Sequence, residues 1–291
     1  MSKLSDIDVE VQERLNQKLQ KLKRLGLYED YHNSGYLGKS KLIKVLDSPY
    51  KFKYALENPS KPTPSMEFGT ALHMAVLEPE KFSKKYYELP EDFNLRTKAN
   101  KELFQDISES GKVPILFSDY EKIMEMRKSI YKIDYAKKAL NGEHEISYYW
   151  NDKRTNVKLS CRPDSRRDLI KGEEGIIVDL KTCSNANTEA FMKDAIKFGY
   201  DIQAAQYIEG CNLYYGYPHR FIFIAVEKEP PFAVNILEAD NLFIQYGRDR
   251  FLECVSIVKH CTDTNNWWWY NGEDGQINAL GLPAYLLKEI E

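Results

Sequence analysis

The chain has 291 residues, 43% of them hydrophobic, and a formal net charge of −3. That length and apolar content suit one large domain with a sizeable core. The charge excludes a bulk-basic binder, so any nucleic-acid contact must use a local positive surface. The N-terminus, MSKLSDIDVEVQERL, is polar and unlike a signal peptide, and no run of about 18 apolar residues is present to span a membrane. Five cysteines without a CxxC pair point to reduced thiols and a cytoplasmic location.

In chain order, Ile7, Val9, Val11, Leu15, Leu19, Leu22 and Leu25 predict an amphipathic helix over 5–25, ended by Gly26. Ser40 then stands as an N-cap before LIKVL, with Pro49 as the stop. KPTPS is a turn, and EFGTALHMAVLE reads as a helix carrying His73. Residues 97–109, 119–131 and 134–140 also read as helical.

The texture changes near Glu145. EISYYW and VKLSCR are rich in β-branched and aromatic residues and read as strands around a DKRTN turn. GIIVDLK reads as a buried strand, 188–198 and 201–214 as helices split by Gly199, RFIFIAVE and FAVNILE as a strand pair, and 241–261 as a long helix. The expected fold class is therefore α/β (α+β): a mixed central sheet flanked by helices, with an α-rich N-terminal half. A single domain over 1–291 is expected, divided into a helical part (1–140), a core (141–262) and a C-terminal tail (263–291).

Pro163-Asp164 closes one predicted strand and Asp179-Leu180-Lys181 another, with the two carboxylates fifteen positions apart. Neighbouring strand ends would bring both to one spot. Side by side, each carboxylate disfavours ionisation of the other. A hard divalent cation such as magnesium resolves this with oxygen ligands. Asp179 and Lys181 share one face of a strand, so Leu180 turns into the core while its carbonyl remains available as a ligand. A lysine at that position can activate water or stabilise charge on a phosphate. Upstream stands Gly69-Thr70-Ala71-Leu72-His73; downstream, Gln203 and Tyr207 fall at i and i+4 on one helix face, and Glu145 opens the first core strand.

His73, Pro163-Asp164, Asp179-x-Lys181 and Gln203-x-x-x-Tyr207, in this order, resemble the motifs of the RecB-like branch of the PD-(D/E)xK nucleases, with their restriction-endonuclease-like core. Ser40, Leu42, Ser48 and Pro49, the stretch Phe68 to His73, Leu77 to Phe82 and a late Trp-Tyr element extend the likeness to the RecE (exodeoxyribonuclease VIII) type of phage and prophage recombination exonuclease, over about residues 30–285. The run Trp267-Trp268-Trp269 is more aromatic than that pattern leads one to expect.

The resemblance implies a 5′→3′ exonuclease on linear double-stranded DNA ends. Its 3′ overhangs would pass to a RecT-like single-strand annealing protein, in the cytoplasm of a bacterial host. It implies a homo-oligomeric ring, trimer or tetramer, and two magnesium ions, for which manganese substitutes. His73, Asp164, Asp179 and the Leu180 carbonyl would hold the metals, with Glu145 near them. Lys181 would activate the water, Gln203 and Tyr207 would hold the scissile phosphate or nucleophile, and Ser40 and Arg162 the terminal 5′-phosphate. Lys41, Lys44, Lys51, Lys53, Arg166, Arg167 and Lys171 are further cations available for phosphate contact.

Two other readings compete. RecB-like nucleases of the CRISPR-associated kind carry an iron–sulfur cluster that needs one early and three late cysteines; only Cys254 and Cys261 are late. A catalytically silent DNA-end-binding module would be expected to have lost an acidic residue or the lysine, and all are present.

Overall fold

A computed structural model describes residues 34–282. The predicted helix over 5–25 lies outside the described residues. A short helix α1 (Lys39–Leu42) runs into a 3-10 turn (Ile43–Leu46) and helix α2 (Pro49–Glu57). Here two expectations are corrected. Gly38, not Ser40, is the N-cap of α1, and Pro49 is the first residue of α2 rather than only a stop. The reason is Ser48: its hydroxyl accepts from the Lys51 N–H, and proline costs nothing in a first turn, where its missing N–H has no intrahelical partner. Helix α3 (Pro64–Leu77) starts the same way, capped by Thr63. Helices α4 (Pro79–Lys85), α5 (Lys98–Glu109), α6 (Phe117–Tyr131) and α7 (Asp134–Ala139), with the short strands β1 (Tyr86–Glu88) and β2 (Val113–Ile115), complete the α-rich half.

The central sheet has five strands in the order β3-β6-β7-β8-β9: β3 (Glu143–His144), β6 (Ser165–Ile170), β7 (Glu174–Cys183), β8 (His219–Glu227) and β9 (Val234–Glu238). The β7–β8 pair is parallel and the others antiparallel, so the sheet is mixed as expected. The hairpin of EISYYW and VKLSCR is not in it. Strands β4 (Tyr148–Asn151) and β5 (Lys158–Cys161) form a separate two-stranded sheet. Its turn is held by Asp152, which accepts from the Arg154 and Thr155 N–H groups. The strand beside GIIVDLK is instead SRRDLI, whose charges hide it from hydropathy. Arg166 is buried there because its guanidinium lies on the Tyr215 ring, 3.4 Å from the centroid, and pairs with Asp168 at 2.6 Å.

The runs Ile176–Val178 of β7 and Phe221–Val226 of β8 are apolar without a break because both faces are covered there. Ile176, Val178 and Leu180 face the N-terminal helices with Leu72, Val76, Ile123 and Met126. Ile177, Phe221 and Phe223 face helix α8 (Thr188–Lys197) and helix α9 (Tyr200–Tyr215). Gly199, in the left-handed region at φ +67°, makes the break between those helices. Behind α9 lies helix α10 (Asn241–Thr264), so α9 is buried on two sides, through Ala204 and Cys211 toward the sheet and Ile202 and Ala205 toward α10. This burial explains three interior polar residues of α9. Asp201 pairs with Arg250 at 2.7 Å, Gln206 donates to the Leu37 and Ser160 carbonyls at 2.9 Å, and Gln203 points into the site. Among the described residues no helix is long and apolar enough to cross a membrane.

The α9–α10 contact is closest at Gly247, where a Cβ would lie 2.1 Å from the Asp201 carbonyl oxygen. Gly247→Ala therefore forces two helix backbones apart. We expect a loss of about 3 kcal/mol, at the upper end for overpacking, read as a shifted midpoint in chemical denaturation.

Candidate active site

Asp164 stands in the junction between β5 and β6, directly before the first residue of β6, rather than closing a strand. The antiparallel register that pairs Ser165 with Val178 brings Asp164 opposite Asp179. Both carboxylates are buried, and each is held by groups from other elements. Asp164 accepts the Leu180 N–H at 2.6 Å and faces His73 Nδ1 at 3.2 Å. Asp179 pairs with Lys181 Nζ at 2.5 Å and accepts a hydrogen bond from the Gln203 side-chain amide. Leu180, between them, is buried on the opposite face of β7.

These contacts separate the two carboxyls electrostatically. Burial alone would push Asp164 up, but His73, Lys181 and the Leu180 N–H hold it below the usual carboxylate range. Burial, with the Asp164 charge beside it, pushes Asp179 up against the opposing pull of Lys181. Burial would also push the Lys181 ammonium down, and the two aspartates more than offset this. His73 behaves likewise: burial disfavours its imidazolium, and Asp164 restores it above the ordinary histidine value. Glu145 is pushed up to about 7, first by burial and then by Asp164.

Glu145 departs from its expected place. It follows β3 in the left-handed region at φ 53°, on a loop instead of opening a strand. There it pairs with Arg162 Nε at 2.9 Å. Its carboxylate, the His73 ring and Asp164 offer ligand atoms all within 4.8 Å of one another, a set that suits a metal ion.

One cleft of about 480 Å³ gathers the predicted side chains. Ser40, His73, Glu145, Arg162, Asp164, Asp179, Lys181, Gln203 and Tyr207 all line it. They come from α1, α3, the loop after β3, the β5–β6 junction, β7 and α9. Of the wider set of basic residues, Lys41 lines the cleft. Arg166 is sequestered under Tyr215, and Lys51 pairs with Asp47 at 2.7 Å.

Sequence reading missed Lys39 and Tyr200. The ammonium groups of Lys39 and Lys181 lie 4.9 and 4.7 Å from the centroid of the Tyr200 ring. Burial, then the Lys181 charge, lowers Lys39 to about 8. Tyr200 is i−3 from Gln203, so helical spacing would have found it. Lys39 carried no signal beyond its adjacency to Ser40. Gly69 lies one turn before His73, and a Cβ there would meet nothing within 4 Å. Packing within the chain does not require this glycine.

Comparison with known proteins agrees with this fold. The family model described as "PDDEXK-like domain of unknown function (DUF3799)" matches residues 38–276. No curated protein matches the sequence. A crystal structure of a "Putative exonuclease" from Eubacterium rectale shares the fold at a TM-score of 0.60 and 14% identity, over 90% of this chain and 96% of that one. The structure of SSO0001, at 11% identity over 82% of this chain and 86% of that one, has a TM-score of 0.34, too low to carry an argument. A family match over most of the length, on a mixed sheet that sets Asp164, Asp179 and Lys181 into one cleft, means that the chain belongs to the PDDEXK-like family DUF3799, within the PD-(D/E)xK nuclease superfamily.

Proposed function

We propose that the protein is a metal-dependent deoxyribonuclease that degrades linear duplex DNA from its ends. The observation that carries the reading is the convergence of Asp164, Asp179 and Lys181 with His73, Glu145 and Gln203 in one cleft. A structural role alone would not call for two opposed, buried carboxylates, because burying ionised groups costs several kcal/mol each before compensation. The donor set is mostly carboxylate oxygen with one imidazole, which fits magnesium or manganese. His73, Glu145, Asp164 and Asp179, with the Leu180 carbonyl, would hold the metal, two ions in the full reading. When bound, such a cation supplies Lewis-acid stabilisation of phosphoryl charge.

The chain's own groups do the rest. Lys181, steadied by Asp179 and by the Tyr200 ring, orients the attacking water and opposes charge building on the phosphate. Gln203 and Tyr207, one turn apart on α9, position the scissile phosphate. Ser40 and Arg162 are the terminal 5′-phosphate ligands. Polarity 5′→3′, a ring of three or four copies, a RecT-like annealing partner and a phage or prophage setting rest on the resemblance to RecE.

Three outcomes are expected. Linear duplex DNA should be lost with magnesium and preserved with EDTA on a gel, and Lys181→Ala should cut at least about 100-fold more slowly while still binding DNA. Cleavage near the normal rate in that variant would remove Lys181 from the mechanism. Duplexes with a 5′-phosphate should be degraded faster than those with a 5′-hydroxyl, and Arg162→Ala should narrow the difference; equal wild-type rates would withdraw the Ser40 and Arg162 assignment. Finally, metal binding should release protons. His73, Glu145 and Asp179 are all raised, so each retains protons to higher pH than usual, and a metal must displace them. Affinity should therefore rise as pH climbs through about 7, the value for Glu145. Calorimetry in two buffers of different ionisation enthalpy reads the release directly.

A further inference from the structure

The aromatic run near the C-terminus takes no part in the cleft, yet it is held in a definite place. The Trp268 carbonyl accepts from the Ser48 hydroxyl and the Tyr50 N–H, both at 3.1 Å. Trp267 stacks over the buried Phe52 at 5.9 Å, and Trp269 lies on Tyr50 at 3.8 Å. The segment is thus fastened along α2. Between them is a recess of about 330 Å³, lined by Tyr50, Lys53, Tyr54, Glu57, Asn265 and Trp267.

Two features separate this recess from a cap over the core. First, two of its aromatic walls stay in water: Tyr54 is 59% exposed and Tyr50 37%, although both lie on the ordered helix α2. Second, Lys53 makes no ion pair among the described residues. Its ammonium stands 5.7 Å from the centroid of the Trp267 ring. Aromatic faces with an adjacent free cation match the chemistry of unpaired nucleotides, where the ring takes the base and the cation takes the phosphate. Glu57 and Asn265 add an acceptor and a donor at the rim, suited to a base that carries an amino group. An apolar peptide would use the rings but not Lys53.

The recess is also joined to the cleft by a short path. The segment that carries Lys39, Ser40 and Lys41 into the cleft continues through the 3-10 turn directly into α2. Leu42, Val45 and Phe52 bury this segment in one cluster with Phe251 and Val255 of α10, so the two places are held on one unit.

We infer that the recess between Tyr54 and Trp267 binds an unpaired base of single-stranded DNA, holding the strand that a duplex-degrading reaction leaves behind. The identity of that strand rests on the nuclease reading above; the binding itself does not. The test uses the full chain in EDTA and a fluorescein-labelled 12-nucleotide oligodeoxycytidylate, followed by anisotropy. Stacking contributes about 1–3 kcal/mol per base, so Tyr54→Ala combined with Lys53→Ala should weaken binding at least about tenfold. Tyr54→Phe, which keeps the ring, should stay within about twofold. An abasic strand of the same length, with the same phosphates, should bind wild type more weakly than the oligodeoxycytidylate does, keeping the Lys53–phosphate contact and losing the stack. Both altered side chains are partly exposed, and circular dichroism checks that the fold is kept. Equal affinities of wild type and double variant, or equal binding of abasic and base-bearing strands, would overturn the inference. Cleavage of duplex DNA is scored separately. Base-dependent binding without cleavage would sink the nuclease reading and keep the site, whereas cleavage without base-dependent binding would do the reverse.

Discussion

Two carboxylates facing each other across a pair of buried strands are the constraint on which this structure turns. Asp164 and Asp179 are both nearly inaccessible to solvent. Left alone, such a pair would take up a proton or force the strands apart. The protein instead surrounds them with compensation drawn from distant parts of the chain: His73 from an early helix, Lys181 from the same strand, Gln203 from the following helix, and the Leu180 N–H between them. Each of these contacts requires an element to be in place, so the site tests the fold at several points at once.

The layering supplies those elements. Because β7 is covered on both faces, its alternation sends Leu180 into one core and keeps Asp179 and Lys181 on the other side, toward α9. Helix α9 is enclosed in turn by α10, which lets it carry glutamines and an aspartate inward at places where a surface helix would carry apolar residues. Gly247 permits this enclosure by allowing the α10 backbone to approach Asp201. The arrangement accounts for a polar helix interior without invoking function for every residue: Asp201 and Gln206 hold the scaffold, whereas Gln203 reaches the acidic pair.

The aromatic segment at Trp267 to Trp269 is coupled to the same scaffold through α2. Its backbone is fixed by Ser48 and Tyr50, while the Trp269 ring and the neighbouring Tyr54 and Tyr270 remain exposed. On the proposed reading, the cleft and the proposed base-binding recess share one contiguous segment, as an end-degrading enzyme that exposes a single strand would require.

Much of this was legible in the residues themselves. Sequence pattern located the helices read over 97–109, 119–131 and 188–198, and apolar runs located the strands of GIIVDLK and RFIFIAVE, because burial on one face imposes a period and burial on both faces removes it. Spacing set Asp179 with Lys181 and Gln203 with Tyr207 on shared faces, and the motif order that resembles the RecB-like nucleases singled out His73 and Asp164 beside them. The misses have a common cause. SRRDLI does not read as a strand, since Arg166 is accommodated by Tyr215 and Tyr217 from elsewhere in the chain and by Asp168 within the strand itself. For the same reason the β4–β5 hairpin, apolar and aromatic, was expected in the central sheet that it does not join. Glu145 was placed on a strand because its left-handed backbone is set by its pairing with Arg162 and its loop, not by its own propensity. Lys39 and Tyr200 entered the site only through proximity across the fold. Sequence alone determined which side chains are present and which of them share a face, since both follow from local geometry. Only the tertiary structure decided which carboxylate is stabilised as a charge and which is strained, because that depends on the distances to His73, Lys181 and the Leu180 N–H across separate elements.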